Sequence, residues 1–160
     1  MWEFLSPSRG RMTLEDVAED LKASVIQYPS DSFRLIIGTD SQPKVQSGTV
    51  TFVTAIILYR VGKGARYYIH KEQRRNIYAL RQRMFTEASY SLQIGSELVE
   101  LLKSDKGGWK PEVHLDIGER GATKQLIREL VAWITASGYE ARIKPDSYGA
   151  SKVADRYTRA

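Results

Sequence analysis

Acidic residues at the ends of apolar segments are the positions of this sequence best suited to chemistry. Asp40 closes the segment Phe33–Asp40, and Asp116 lies in His-Leu-Asp-Ile-Gly. Ligands of open α/β sheets bind beyond the carboxyl ends of strands, although Asp40 could instead cap the following loop. If the two strands are parallel neighbours, the carboxylates lie roughly 5 Å apart. They then repel unless a cation separates them, and oxygen ligands select a hard cation, Mg²⁺ or Mn²⁺.

Glu87 interrupts the inward stripe of a predicted long helix. The stripe recurs at steps of three or four residues and otherwise consists of Leu80, Met84, Ser91, Ile94, Leu98 and Leu101. A glutamate on a buried helix face is costly unless it has a partner. A metal ion at the edge of the sheet is one such partner. The alternatives are an ion pair with Arg83 or Arg120, or contact with solvent at that turn.

The carboxyl-terminal segment supplies two further candidates for a fourth acid. Asp146 directly follows the last predicted strand, and Asp155 lies on a predicted final helix. Either carboxylate could reach the same edge of the sheet. Asp146 could instead be a turn or capping acid, and Asp155 could pair with a neighbouring arginine. We favour Asp155, with Asp146 second.

Basic residues cluster between the third predicted strand and the long helix. The chain has 24 lysines and arginines against 19 acids, a formal net charge of +5, which suits an anionic partner such as nucleic acid. Such side chains hold a phosphate backbone without reading its sequence. The alternative is an ordinary solvated surface. The cluster consists of Lys71, Arg74, Arg75, Arg81 and Arg83.

The elements that must position these residues predict one α/β domain over 1–160. Residues 1–12 form a leader, and a capping box at Thr13–Asp16 begins an extra N-terminal helix. Short turns favour antiparallel pairing of the first three strands, and helical crossovers favour parallel pairing of the last two. We therefore predict a mixed five-stranded sheet flanked by helices. Its strands are 33–40, 49–60, 65–71, 113–117 and 139–144, and its helices are 78–103, 123–136 and 150–159.

Composition excludes several classes of site. The 160 residues include no cysteine and two histidines, which excludes a disulfide scaffold, a thiolate zinc site, a cysteine nucleophile and a histidine-rich metal site. The longest apolar-leaning segment, Val50–Tyr59, is shorter than the ~20 helical residues that cross a bilayer. The N-terminus has no secretory signal pattern. We expect a cytoplasmic protein without a membrane partner, and its oligomeric state stays open.

Three segments and the order of the acids resemble a known family. The segments are IGTDSQ, HLDIGERGATKQLI and IKPDSYGASKVADRYT. On these motifs the chain resembles the bacterial YkuK-type family of uncharacterised ribonuclease H-like proteins. The resemblance implies a ribonuclease H-like core over about 33–159 and a two-metal nuclease acting on RNA, an RNA–DNA hybrid or structured DNA. Asp40 would bridge both ions, with Glu87 and Asp116 on one and Asp155 on the other. The alternative is a nucleic-acid-binding module without catalysis.

Overall fold

A computed structural model describes residues 2–77, 79–103, 108–117 and 123–144. Strands and helices alternate along the chain in the order typical of an α/β domain. The described elements are β1 (Glu3–Ser6), β2 (Gly10–Thr13), α1 (Leu14–Gln27), β3 (Phe33–Lys44), β4 (Thr49–Arg60), β5 (Gly64–Arg75), α2 (Leu80–Leu102), β6 (Glu112–His114), α3 (Lys124–Ala136) and β7 (Glu140–Arg142).

The described strands form one mixed, seven-stranded sheet in the order β2-β1-β5-β4-β3-β6-β7. The long strands β3, β4 and β5 are antiparallel. Strands β6 and β7 join them in parallel, β6 beside β3 and β7 beside β6. The predicted fold class and its pattern of three antiparallel strands followed by two parallel ones are confirmed.

The predicted leader over 1–12 is wrong, because Glu3–Ser6 and Gly10–Thr13 form a hairpin. Strands β1 and β2 pair with each other, and β1 pairs with β5 through Leu5 and Ile69. Phe4 and Met12 are buried against α1, and this burial fixes the hairpin. The hairpin raises the number of strands from the predicted five to seven. Strands of four residues carry too few alternating positions for the pattern to be recognised in the sequence.

The predicted loop over 41–48 is wrong in its first half, because the ladder continues past Asp40. Strand β3 runs to Lys44, which pairs with Thr49, and β5 runs to Arg75 rather than ending at 71. The described partners of β3 on its other side end at Gly38, so Pro43 lies on an edge of the sheet, where its missing N–H is tolerated.

The three described helices cover one face of the sheet. Helices α1 and α2 pack on the face that carries Ile37 and Ile56, and α3 packs on the same face through Val113, the neighbour of Ile37. The other face holds a second apolar cluster of Ile36, Val53, Ala55, Ile57 and Ile69. The helix predicted over 150–159 lies outside the described residues.

The helix boundaries in the structure lie close to those predicted from the sequence. The capping box is confirmed, since Asp16 N–H binds the Thr13 hydroxyl and Thr13 N–H binds the Asp16 carboxylate. Helix α2 begins at Leu80 rather than at 78, while β6 and β7 each span three residues, fewer than predicted. No described helix is both long enough and apolar enough to cross a membrane.

Candidate functional site

Asp40 and Asp116 lie just beyond the paired segment of two neighbouring parallel strands. The register of β3 and β6 ends with the pair Gly38 and His114, and each aspartate lies two residues further along its own strand direction. The predicted neighbourhood of the two strands is therefore confirmed. Asp40 is half-buried on β3, and the Asp116 side chain is 30% exposed. This end of a parallel pair is where α/β sheets place ligands.

Glu87 is buried on the inward face of α2, as its place in the apolar stripe predicts. The Ser41 hydroxyl donates a hydrogen bond of 2.5 Å to Glu87 Oε2. Arg83 reaches Ser41 rather than the carboxylate, since its Nε lies 3.3 Å from Ser41 Oγ and its Nη2 3.2 Å from the Ser41 carbonyl oxygen. The Ser41 hydroxyl therefore lies between the Glu87 carboxylate and the Arg83 guanidinium.

Small residues let α2 approach β3 closely enough to place Glu87. A Cβ on Gly95 would lie 3.2 Å from Ile37 Cδ1. One helical turn earlier, Ser91 Oγ lies 2.8 Å from Thr39 Oγ1. The next turn brings Glu87 to the level of Ser41. Alternate β3 residues therefore follow the stripe of α2, which also means that Asp40 points to the opposite face of the sheet from Ser41.

The three acids form one electrostatic group although they come from two faces of the sheet. Burial raises the pKa of Glu87 well above its usual range, and the Ser41 hydrogen bond opposes that rise. The negative charges of Asp40 and Asp116 raise the pKa further, and Arg83 lowers it. The two aspartates therefore lie close enough to act on Glu87. A buried acid perturbed by other acids is typical of functional sites.

In the described residues, the acids do not form a complete metal-binding group. Over that part of the chain, no three histidine, aspartate or glutamate side chains lie close enough together to hold one ion. The Lys144 ammonium lies 2.9 Å from Asp116 Oδ1 and supplies positive charge there. Asp146 and Asp155, the candidates for the fourth acid, lie outside the described residues. The donor chemistry nevertheless fits a hard divalent cation, because it consists of carboxylate oxygens that repel one another without one.

The predicted basic cluster is divided between surfaces. Arg81 pairs with Glu129 of α3 at 2.7 Å, and its guanidinium lies 5.0 Å from the centre of the Phe85 ring. Arg83 belongs to the Ser41 contact described above. By strand alternation, Arg74 points to the helical face, whereas Lys71 and Arg75 point to the face of Asp40.

A partly buried ion-pair network lies on β3 and β6 just before the two aspartates. Arg34 donates to both Glu112 oxygens, at 2.7 Å from Nε and 2.5 Å from Nη2. His114 Nε2 lies 3.1 Å from Glu112 Oε1. The Arg34 hydrogen bond lowers the pKa of Glu112 to about 2, against the effect of burial. The charged side chains fix β6 beside β3 just before the two aspartates.

Sequence reasoning missed Ser41, Lys144 and the Arg34–Glu112 pair. Strand alternation after Asp40 could have placed Ser41 on the helix face, since Asp40 and Ser41 are adjacent. Lys144 carried the weaker signal of a basic residue at the end of the last predicted strand. The Arg34–Glu112 pair depends on the register of two strands that lie 78 positions apart in the chain.

A mixed sheet of this order, in which three long antiparallel strands are joined by two parallel strands and covered by helices, is the architecture of a ribonuclease H-like protein. The chain belongs to the family described as Ribonuclease H-like, whose model matches residues 16–159. The chain is also similar to "Uncharacterized protein YkuK" of Bacillus subtilis (strain 168). The two are 40% identical over 168 residues, which cover 98% of this chain and 96% of that protein. The resemblance to YkuK-type ribonuclease H-like proteins is confirmed.

Proposed function

We propose that this protein is a divalent-metal-dependent nuclease whose site lies at the edge of β3. The observation that carries the proposal is the arrangement of three acids. Asp40 and Asp116 lie just beyond the paired segment of β3 and β6, and buried Glu87 lies within the electrostatic reach of both. Three mutually repelling carboxylates at one end of a sheet are stabilised by a bound cation. Membership of the Ribonuclease H-like family supports the same chemistry.

The residues of the chain divide the work of such a site. Asp40 would bridge two ions, Glu87 and Asp116 would hold one, and Asp155, or Asp146 in its place, would hold the other. When bound, Mg²⁺ or Mn²⁺ would activate water and stabilise the leaving oxygen in a displacement at phosphorus. Ser41 holds the Glu87 carboxylate in a fixed orientation through its hydrogen bond.

Lys144 acts as the counter-ion of Asp116 in the described structure. A divalent cation carries more charge than an ammonium group, so we expect it to displace Lys144 from Asp116. Lys144 would then be available to a phosphate group. The metal ion would thus replace the Lys144 ammonium as the positive charge beside Asp116.

Nucleic acid is the proposed substrate class, as RNA, an RNA–DNA hybrid or structured DNA. The formal net charge of +5 favours a polyanion. Lys71 and Arg75 share the sheet face of Asp40 and could contact the backbone. Such contacts position a strand without selecting its sequence.

A non-catalytic nucleic-acid-binding module is the second candidate function. Two observations favour it: the described residues contain no gathered set of three metal ligands, and Asp116 already pairs with Lys144. Such a module would need the basic surface but not the acids. Binding without cleavage under every metal condition is its expected behaviour.

Cleavage of labelled strands distinguishes the two functions. Single-stranded RNA and DNA, their duplexes, a hybrid and a branched DNA are each incubated with Mg²⁺, Mn²⁺ or EDTA. A nuclease gives products only with metal, and Asp40→Asn, Glu87→Gln and Asp116→Asn each abolish them. Glu100→Gln is the matched control, because Glu100 is exposed on α2 and its side chain is 74% accessible. Binding without products in all conditions supports the module and contradicts the nuclease.

A further inference from the structure

The sheet extends beyond Asp40 as a three-stranded structure. Strands β3, β4 and β5 stay paired past the level of the acid, as far as Lys44, Thr49 and Arg75. Alternate residues on the Asp40 face form three rows across the strands. The rows are Asp40, Val53 and Lys71; then Gln42, Thr51 and Gln73; then Lys44, Thr49 and Arg75.

The helical face of this extension is already covered. Val50 and Phe52 of β4 are buried in one cluster with Ile77 and Tyr90. The Asp40 face differs, because Gln42, Gln73 and Arg75 are exposed and Lys44 is half-buried. On the Asp40 face the long polar side chains of β3 and β5 are therefore accessible, whereas Thr49 and Thr51 of β4 between them are buried.

The chemistry of the accessible face suits a nucleic-acid strand. The two rows beyond Asp40 contain two cations, two amides and two threonines, and none of their residues is acidic. Lys44 and Arg75 lie on strands separated by β4, roughly 10 Å apart. Cations of this kind contact phosphates, and glutamine amides both donate to and accept from sugars and bases.

The extension also has a useful length. Lys44 lies four residues beyond Asp40, which is about 13 Å along a strand at ~3.3 Å per residue. A stacked nucleic-acid strand rises about 3.4 Å per nucleotide, so this distance corresponds to about four nucleotides.

We propose that Gln42, Lys44, Gln73 and Arg75 form a backbone-binding track for one strand of the nucleic acid. The track holds that strand about four nucleotides from the phosphate at Asp40. The proposal rests on the proposed function for the identity of the polyanion, but not on cleavage. It excludes Arg81, which is engaged with Glu129 on α3.

The double variant Lys44→Gln/Arg75→Gln tests the track, because it removes both of the track's positive charges. The matched control is Lys63→Gln/Lys103→Gln, which removes the same charge from two exposed lysines, each in an ion pair, that lie outside both the track and the predicted basic cluster. Surface pairs of this kind contribute little stability, so both double variants fold, which circular dichroism verifies. Fluorescence anisotropy then measures the affinity for a labelled single strand of about 20 nucleotides in EDTA, over a salt series.

We expect the track variant to bind roughly tenfold more weakly at low salt. Two lost phosphate contacts should flatten the slope of log affinity against log salt by about 1.5. The control variant should match the parent protein in affinity and slope. Ultraviolet cross-linking of a strand that contains 4-thiouridine should label peptides that include residues 42–44 and 73–75. Equal affinity of the two double variants, or cross-links confined to other peptides, would overturn the track.

The outcomes separate the track from the nuclease. If the track variant loses affinity and no metal supports cleavage, the track is correct and the catalytic proposal is wrong. If metal-dependent cleavage occurs and the track variant binds as the parent does, the catalytic proposal is correct and the track is wrong.

Poly-glutamate serves as a competing acidic polypeptide. If it displaces the strand at equal concentration of charge, the surface is a site for acidic protein and the track is wrong.

Discussion

Asp40 and Asp116 each lie two residues beyond Gly38 and His114, the last paired residues of the parallel strands β3 and β6. The two aspartates thus lie at the same level, just beyond the paired segment of β3 and β6. Buried Glu87 approaches this level from the helical face, where Ser41 binds its carboxylate at 2.5 Å. The charges of both aspartates act on Glu87 at this level, although Asp40 points to the other face of the sheet.

We expect Asp40→Asn to reduce metal-dependent cleavage about 10³-fold or more, because it removes the proposed shared ligand. The same change relieves repulsion among the acids, so the melting temperature in EDTA should stay equal or rise. Cleavage rates with Mg²⁺ and thermal melts in EDTA check both parts. A variant that cleaves at the parent rate would contradict the role of Asp40.

Glu87→Gln should be more stable relative to the parent protein as pH rises. The folded state raises the pKa of Glu87, so the parent is most stable with Glu87 protonated and loses that stability as pH rises through the raised value. Glutamine keeps a polar oxygen for Ser41 and does not titrate. Melting temperatures of both proteins in EDTA, from the ordinary glutamate pKa upwards, measure the difference. A difference in melting temperature that is constant with pH would show that ionisation of Glu87 does not destabilise the folded state.

Glu112→Gln should have the opposite pH dependence in a more acidic window. The folded state lowers the pKa of Glu112 from 4.5 to about 2, chiefly through Arg34, so its contribution to stability is present above 4.5. That contribution is lost as pH falls through about 2. The variant should therefore be less stable than the parent at neutral pH. Denaturant unfolding of both proteins at several pH values should show the difference shrinking toward pH 2, and a difference that grows would refute the ion-pair account.

Thr51→Val should stabilise the fold by about 1 kcal/mol, because a buried hydroxyl without a partner is unfavourable. Thr51 is fully buried on the central strand β4, and its Oγ1 makes no hydrogen bond within the described part of the chain. Thr39→Val is the matched control, since Thr39 Oγ1 lies 2.9 Å from Thr54 Oγ1 and 2.8 Å from Ser91 Oγ. Urea unfolding should show a gain for Thr51→Val and a loss for Thr39→Val, and a loss for both would contradict the prediction.

Long periodic patterns were the part of the fold that the sequence could reveal. The stripe of α2 was regular enough to place Glu87 on the buried face, and the capping box at Thr13 marked the start of α1. The short hairpin escaped because Phe4 and Met12 are isolated apolar residues whose burial depends on α1. Strand β3 was cut short at Asp40 because its last residues are polar and stay paired through β4 rather than through their own propensity.

Only part of the candidate site could be predicted from the sequence. Acids at strand ends are visible because parallel strands bring their carboxyl ends together. The Lys144 pairing with Asp116 was not visible, because it depends on where β7 stops beside β6. The side of the sheet on which each basic residue lies also needed the full register, since a shift of one residue would exchange the faces of Lys71 and Arg74.

Binding of Mn²⁺ tests most directly whether the three acids form one divalent-metal site. Electron paramagnetic resonance measures the free ion as it is titrated into the parent protein and into Asp40→Asn, Asp116→Asn, Lys144→Gln and the control Glu100→Gln. We expect the parent and the control to bind Mn²⁺ alike and both aspartate variants to bind it much more weakly. Lys144→Gln should bind more tightly, because the competing ammonium is gone. Equal binding by the parent and both aspartate variants would contradict the site.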